Sequence, residues 1–173
     1  MTMVAATLAS LHIWYNEPTP GNERPQLLSK LAILELCGWL EHWMDDLVLE
    51  VARRCICPDP WVAEKIIKNT NGFHYTMHLR SMLAKLIGEH QVLVGESRME
   101  ASHPGELQNI KSILGQLWTT RCSYAHSDLL HNVQAQATFD APSWTITQHR
   151  AIEQKLTNYK AVFVQLASEI PQA

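Results

Sequence analysis

A chain of 173 residues is long enough to bury a sizeable core, and 46% hydrophobic with 18% charged residues marks it as globular, not disordered. A formal net charge of -3 excludes a broad basic surface for non-specific duplex binding and leaves room only for a small local patch. Four cysteines are sparse for a disulfide scaffold, no apolar run approaches the ~20 residues of a membrane span, and Met1 to Tyr15 lacks the basic start of a signal peptide; the expected setting is the reduced cytoplasm, with no membrane contact.

The first fifteen residues read as a short helix. Asn16 to Pro25 holds three prolines and a glycine and reads as a loop. Residues 1–25 are thus a short helix-and-loop appendage to a single domain spanning 1–173. Pro25 suits the first turn of a long helix reaching about Arg54. Ile33, Leu36, Leu40, Trp43, Leu47 and Val51 form its apolar stripe, with Glu35, His42, Asp46 and Arg53 opposite. Gly38, a lone glycine inside this pattern, is expected at a close helix crossing. Asp59 and Pro60 read as N-cap and first residue of a short helix through Lys68.

Asn71-Gly72 reads as a turn, and Tyr75 to about Val94 as a helix with Leu79, Leu83 and Ile87 in register. Gly95 to His103 is polar and reads as a loop. Pro104 opens a helix with Leu107, Ile110, Leu114, Leu117 and Trp118 on one face. Asp128 to Thr145 lacks helical periodicity, with Gln134 to Phe139 extended. A last helix runs from about Ile146 to Ile170 on Ile152, Leu156, Tyr159, Val162, Phe163 and Leu166. The expected fold is all-α: an antiparallel bundle of about four long helices plus short additional ones.

The chemistry concentrates at Arg121-Cys122-Ser123-Tyr124-Ala125-His126. One more turn of the Leu107–Trp118 stripe lands on Arg121, and an arginine belongs on a buried stripe only if something satisfies its charge. His126 supplies a side chain whose unperturbed pKa lies near neutrality. In an ideal helix five residues rotate His126 by about 140° from Arg121, so joint action needs a helix end near Tyr124, a bulge or a second subunit. An always-charged fork beside a proton-transfer group suits phosphodiester chemistry. On residue types alone the plainer reading is favoured: Arg121 pairs with a core carboxylate and His126 merely ends the helix.

These residues carry a resemblance to the HEPN superfamily, marked by Arg, four to six residues, then His near the end of a core bundle helix. Arg121 to His126 matches with four intervening residues, and Leu114 to Thr120 matches the apolar lead-in. Leu36 to Leu47 resembles the long early helix of stand-alone bacterial members, and the likeness spans roughly Gln26 to Ser168. Many active members place Asn, Asp or His directly after the Arg, where this chain has Cys122 and then Ser123. The resemblance implies a metal-independent endoribonuclease, a hydrolase-type nuclease that needs no cofactor. It acts as a homodimer whose two Arg–His pairs share a cleft and leaves 2′,3′-cyclic phosphate ends. It further implies a toxin–antitoxin or antiviral-defence role, with RNA as substrate and a cognate antitoxin or regulatory protein as a further partner. The alternative is a non-catalytic HEPN-like module that binds a nucleotide or a partner protein.

Other candidates carry weaker signals. Glu41 and Asp45 are four apart on one helix flank, where they orient Arg121 or His126 or simply face solvent. Ser123 offers a hydroxyl beside the motif, and Asp128 and His131 follow it closely. Cys55-Ile56-Cys57 and the i, i+4 pair His74/His78 lack the repeated spacing of a zinc site, so no metal is expected. Trp43 and Trp118 sit on core stripes, whereas Trp61 and Trp144 stand beside helix starts where base stacking is open to them.

Overall fold

Apolar residues recurring every three or four positions build the described residues of this chain mainly into helices. The computed structural model describes residues 2–18, 23–125 and 140–171, and it has no strand among them. In chain order the helices are α1 (Met3–Tyr15), α2 (Glu23–Arg54), α3 (Asp59–Val62), α4 (Arg80–Ile87), α5 (Glu89–Ser102), α6 (Glu106–Ala125) and α7 (Pro142–Glu169). α3 runs into a π-helical turn at Ala63–Ile67, and a second π-helical turn at Tyr75–Leu79 leads into α4. The all-α expectation holds. Gln134 to Phe139, expected as extended, lies outside the described residues.

Several boundaries move for identifiable reasons. Gly88, at φ 85°, breaks the helix expected over Tyr75–Val94 into α4 and α5. The polar stretch from Gly95, expected as a loop, is helical to Ser102, because Val92, Gly95 and Met99 bury one face and the polar residues are its solvent side. α6 begins at Glu106 instead of Pro104, after Gly105 at φ 76°. α7 begins at Pro142, earlier than Ile146, since proline's fixed φ suits a first turn. At α3 the cap is Pro58, not Asp59; Asp59 instead takes both carboxylate oxygens to Arg53, at 2.6 to 3.1 Å. That guanidinium holds the Asp59 carboxyl below its ordinary range.

The chain divides into two compact units, Met1–Trp39 with Gln116–Ala151, and Leu40–Gly115 with Ile152–Ala173. In the first, Val4, Leu8 and Leu11 of α1 bury against Ala32 of α2, with Leu28, Trp39 and Ile146 packed beside them. Burying each such side chain contributes about 1.5–3 kcal/mol. In the second, α5 and α7 meet at Gly95, where a Cβ would fall 2.6 Å from the Phe163 ring. The close crossing expected at Gly38 is therefore at Gly95. At Gly38 a Cβ meets nothing within 4 Å.

Also in the second unit, a polar cluster is threaded through the core. The buried Tyr75 hydroxyl donates to Glu96 Oε1 at 2.7 Å and lies 3.3 Å from the Tyr159 hydroxyl. Arg80 and Lys111 each approach the same Glu96 oxygen at 3.4 Å, and Lys111 Nζ sits 4.9 Å above the Tyr75 ring. Arg80 also pairs with Glu89. Burial pushes both phenols up, so they act as neutral hydrogen-bonding groups.

α2 closes in a Schellman turn: Cys57 N–H donates to Ala52 O at 2.9 Å and Ile56 N–H to Arg53 O at 3.3 Å. The left-handed position of that turn, usually glycine, is Ile56 at φ 57°. Ile56→Gly removes a steric cost of about 1–2 kcal/mol and sacrifices little burial, because the side chain is 68% exposed. Set against glycine's greater freedom in the unfolded chain, the expected net gain is about 1 kcal/mol, read as a rise in Tm of roughly 2–4 °C. A fall in Tm would show that the exposed Ile56 side chain stabilises the fold.

Candidate functional site

The apolar stripe of α6 is built as expected: Leu107, Ile110, Leu114 and Leu117 are buried and Trp118 is half-buried. The next turn carries Arg121, also half-buried, with its guanidinium carbon 5.6 Å from the centre of the Trp118 ring. At that distance the ring face attracts the cation. α6 is helical through Cys122, Ser123 and Tyr124 to Ala125, the last described residue of this segment. Cys122 is half-buried, Ser123 exposed and Tyr124 buried. His126 follows Ala125 in the sequence. With Asp128 and His131 it lies outside the described residues.

Tyr124 ties this helix end to the approach of α7. Its hydroxyl accepts the Asp140 backbone N–H at 2.9 Å, and burial pushes the phenol up. This bond joins residues 124 and 140, between which His126 and His131 lie in the sequence.

Glu41 and Asp45 lie on α2 in the second unit, whereas Arg121 belongs to the first. Both carboxylates are half-buried. Burial is the main cause that lifts the Asp45 carboxyl above its ordinary value; His42 opposes it, and Glu41 and Asp46 add to it. A carboxyl raised on folding contributes stability below its unfolded value, lost as pH rises through the folded one. Asp45→Asn is therefore expected to raise Tm at about pH 7, and the advantage should shrink as pH falls and the wild-type carboxyl takes up its proton. Melting curves at falling pH check it. A variant less stable at neutral pH would mean that the Asp45 charge has a stabilising partner.

Two polar residues on the core face of α7 have no counterpart among the candidates taken from the sequence. His149 is 2% exposed, with Nε2 3.5 Å from Thr2 Oγ1 and its ring edge-on to Trp39 at 4.8 Å. One turn earlier Thr145 is fully buried, and its hydroxyl is the one buried side-chain polar atom among the described residues without a hydrogen bond. The signal is present in the sequence: carried back from Ile152, the α7 stripe lands on His149 and then Thr145. It is the same kind of break that draws attention to Arg121.

The histidine pair set against a zinc reading is used by the backbone. His74 N–H donates to His78 Nδ1 at 2.9 Å, and Met77 N–H donates to His74 Nδ1 at 3.4 Å, capping the second π-helical turn. Among the described residues no three His, Cys, Asp or Glu side chains group as a metal site, and no helix is long and apolar enough to cross a membrane. Trp61 is 49% exposed, while Trp43 and Trp144 are half-buried. A groove of about 500 Å3 runs between α5 and α7, lined by Arg98, Ser102, His103 and Gln165 over Ala161 and Val162. It holds none of the candidate residues, and Arg98 on its rim is paired with Glu169 at 2.6 Å. Compared with known proteins, the chain matches no family model, no curated protein and no solved structure.

Proposed function

We propose that this chain is a metal-independent endoribonuclease built as a HEPN-type antiparallel helical bundle and acting as a homodimer in the cytoplasm. Arg121 and His126 are its catalytic residues. The observation that carries the reading is the setting of Arg121 on α6. A half-buried arginine stands on the core stripe of α6, over the Trp118 ring and five positions before His126 in the sequence.

RNA carries its own nucleophile, the 2′-hydroxyl. A neutral imidazole accepts its proton while a protonated imidazole donates to the departing 5′-oxygen. One His126 per chain supplies both roles only when two chains share the cleft. Arg121 neutralises the charge that builds on the phosphorus oxygens, with a planar fork suited to more than one of them. Ser123, Glu41, Asp45 and His131 are supporting candidates that orient these groups or the RNA. A toxin or defence role, held in check by a cognate antitoxin or regulatory protein, fits such an enzyme.

Self-association has support in the first unit. Leu27, Leu31 and Leu34 stand 55%, 41% and 37% exposed along one face of α2.

The test is cleavage of a mixed-sequence RNA by the purified chain in excess EDTA. Undiminished cleavage is expected. Activity that disappears with EDTA and returns with magnesium overturns the mechanism and points to carboxylates such as Glu41 and Asp45 as metal ligands. Retention of RNA or nucleotide without cleavage under any condition favours the non-catalytic module.

A further inference from the structure

The turn that closes α2 holds two thiols on either side of its strained residue. Among the described residues, Ile56 is the only non-glycine with positive φ. A β-branched side chain in that region is a genuine outlier. Such outliers persist where the surroundings hold them in place, and they cluster at functional positions. Cys55 and Cys57 flank it, both free and half-buried. The turn folds the second thiol back over the first residue, with Cys57 Sγ 3.8 Å from the Cys55 carbonyl oxygen. Cys55 Sγ faces the Ala167 carbonyl oxygen at 4.0 Å, near the end of α7.

We propose that Cys55 and Cys57 are a reversible redox dithiol, a modification site that small-molecule disulfides of the glutathione class oxidise to an intramolecular disulfide. In the first step the Cys57 thiolate attacks one sulfur of the small disulfide. A Cys57 mixed disulfide forms and one small thiolate departs. Cys55 then gives up its proton to solvent and attacks the Cys57 sulfur, expelling the second small thiolate. Two protein thiols are oxidised, and one small disulfide is reduced to two thiols.

The order of attack follows from the surroundings. Burial, with Cys57 as the second cause, pushes the Cys55 thiol up and makes it the poorer first nucleophile. It becomes the resolving thiol once a disulfide sulfur is delivered beside it. Closing a ring across a single residue demands a tightly bent chain, and the left-handed Ile56 already supplies part of that bend. Ring closure also draws Cys55 Sγ off the Ala167 carbonyl, so oxidation is felt at the end of α7. The dithiol lies in the second unit and uses no residue of the proposed nuclease site.

The full chain is equilibrated in buffers of varied glutathione to glutathione-disulfide ratio, quenched by alkylation and mapped by peptide mass spectrometry. The proposal predicts loss of two of the four thiols, a mass lower by two hydrogens, and the new bond confined to the peptide that holds Cys55 and Cys57. In Cys55→Ser the first step goes forward but cannot resolve, so a stable glutathione adduct accumulates on Cys57. In Cys57→Ser no intramolecular bond forms. Four thiols that stay free throughout, a bond to Cys37 or Cys122, or a wild-type adduct on Cys57 that never resolves would each overturn it.

Discussion

Arg121→Ala and His126→Ala are each expected to lower the rate of RNA cleavage by about 10²- to 10⁴-fold, the usual worth of a charge-stabilising donor or a proton-transfer group. The two substitutions should differ in their effect on the fold. Arg121 lies over the Trp118 ring, so its loss also removes a packing contact and should lower Tm modestly. If His126 serves the chemistry and not the core, His126→Ala should leave the melting curve of the chain unchanged. Single-turnover cleavage and thermal melts on the same preparations separate these effects. Lost activity with an intact melt is the expected result for His126→Ala. If both variants unfold, Arg121 and His126 serve the core, and the catalytic assignment fails.

Glu96→Ala should produce the largest loss of stability of any single change outside the apolar core. Glu96 Oε1 accepts from the buried Tyr75 hydroxyl and is approached by both Arg80 and Lys111. Its removal leaves the Tyr75 hydroxyl with the longer Tyr159 contact alone, and it strips one anion from between two cations. A fully buried pair broken in this way costs about 3–5 kcal/mol. Here Arg80 keeps Glu89, and Lys111 is 35% exposed, which lowers the expectation to about 2–3 kcal/mol, or roughly 5–10 °C in Tm. Glu96→Gln keeps the acceptor for Tyr75 and loses the charge, so it should cost about half as much. Equal losses for the two variants would mean that the cations, not the tyrosine hydroxyl, depend on Glu96.

What the sequence makes legible is set by how local the cause is. The stripes of α2, α6 and α7 are visible because each repeats every three or four residues along one segment, and Arg121 stands out because it interrupts such a stripe. His149 and Thr145 interrupt the α7 stripe in the same way, but poor periodicity upstream hides the true start of α7 at Pro142. The helical Gly95–Ser102 segment is obscured by its polar solvent face. Its glycine is explained only by the Phe163 ring, which comes from a distant part of the chain. The Tyr75–Glu96–Lys111 cluster joins segments that no local pattern connects. The turn at Ile56 contradicts the usual signal outright, because a helix that stops in a left-handed residue normally shows glycine there.

The most direct measurement of the central claim is the chemistry of the ends left on RNA cut by the purified chain in EDTA. Attack by the 2′-hydroxyl, with His126 moving the protons and Arg121 balancing the phosphorane charge, predicts 2′,3′-cyclic phosphate on one fragment and a free 5′-hydroxyl on the other. Fragments that end in 3′-hydroxyl and 5′-phosphate would show that water, not the RNA's own hydroxyl, is the nucleophile, and would contradict the account.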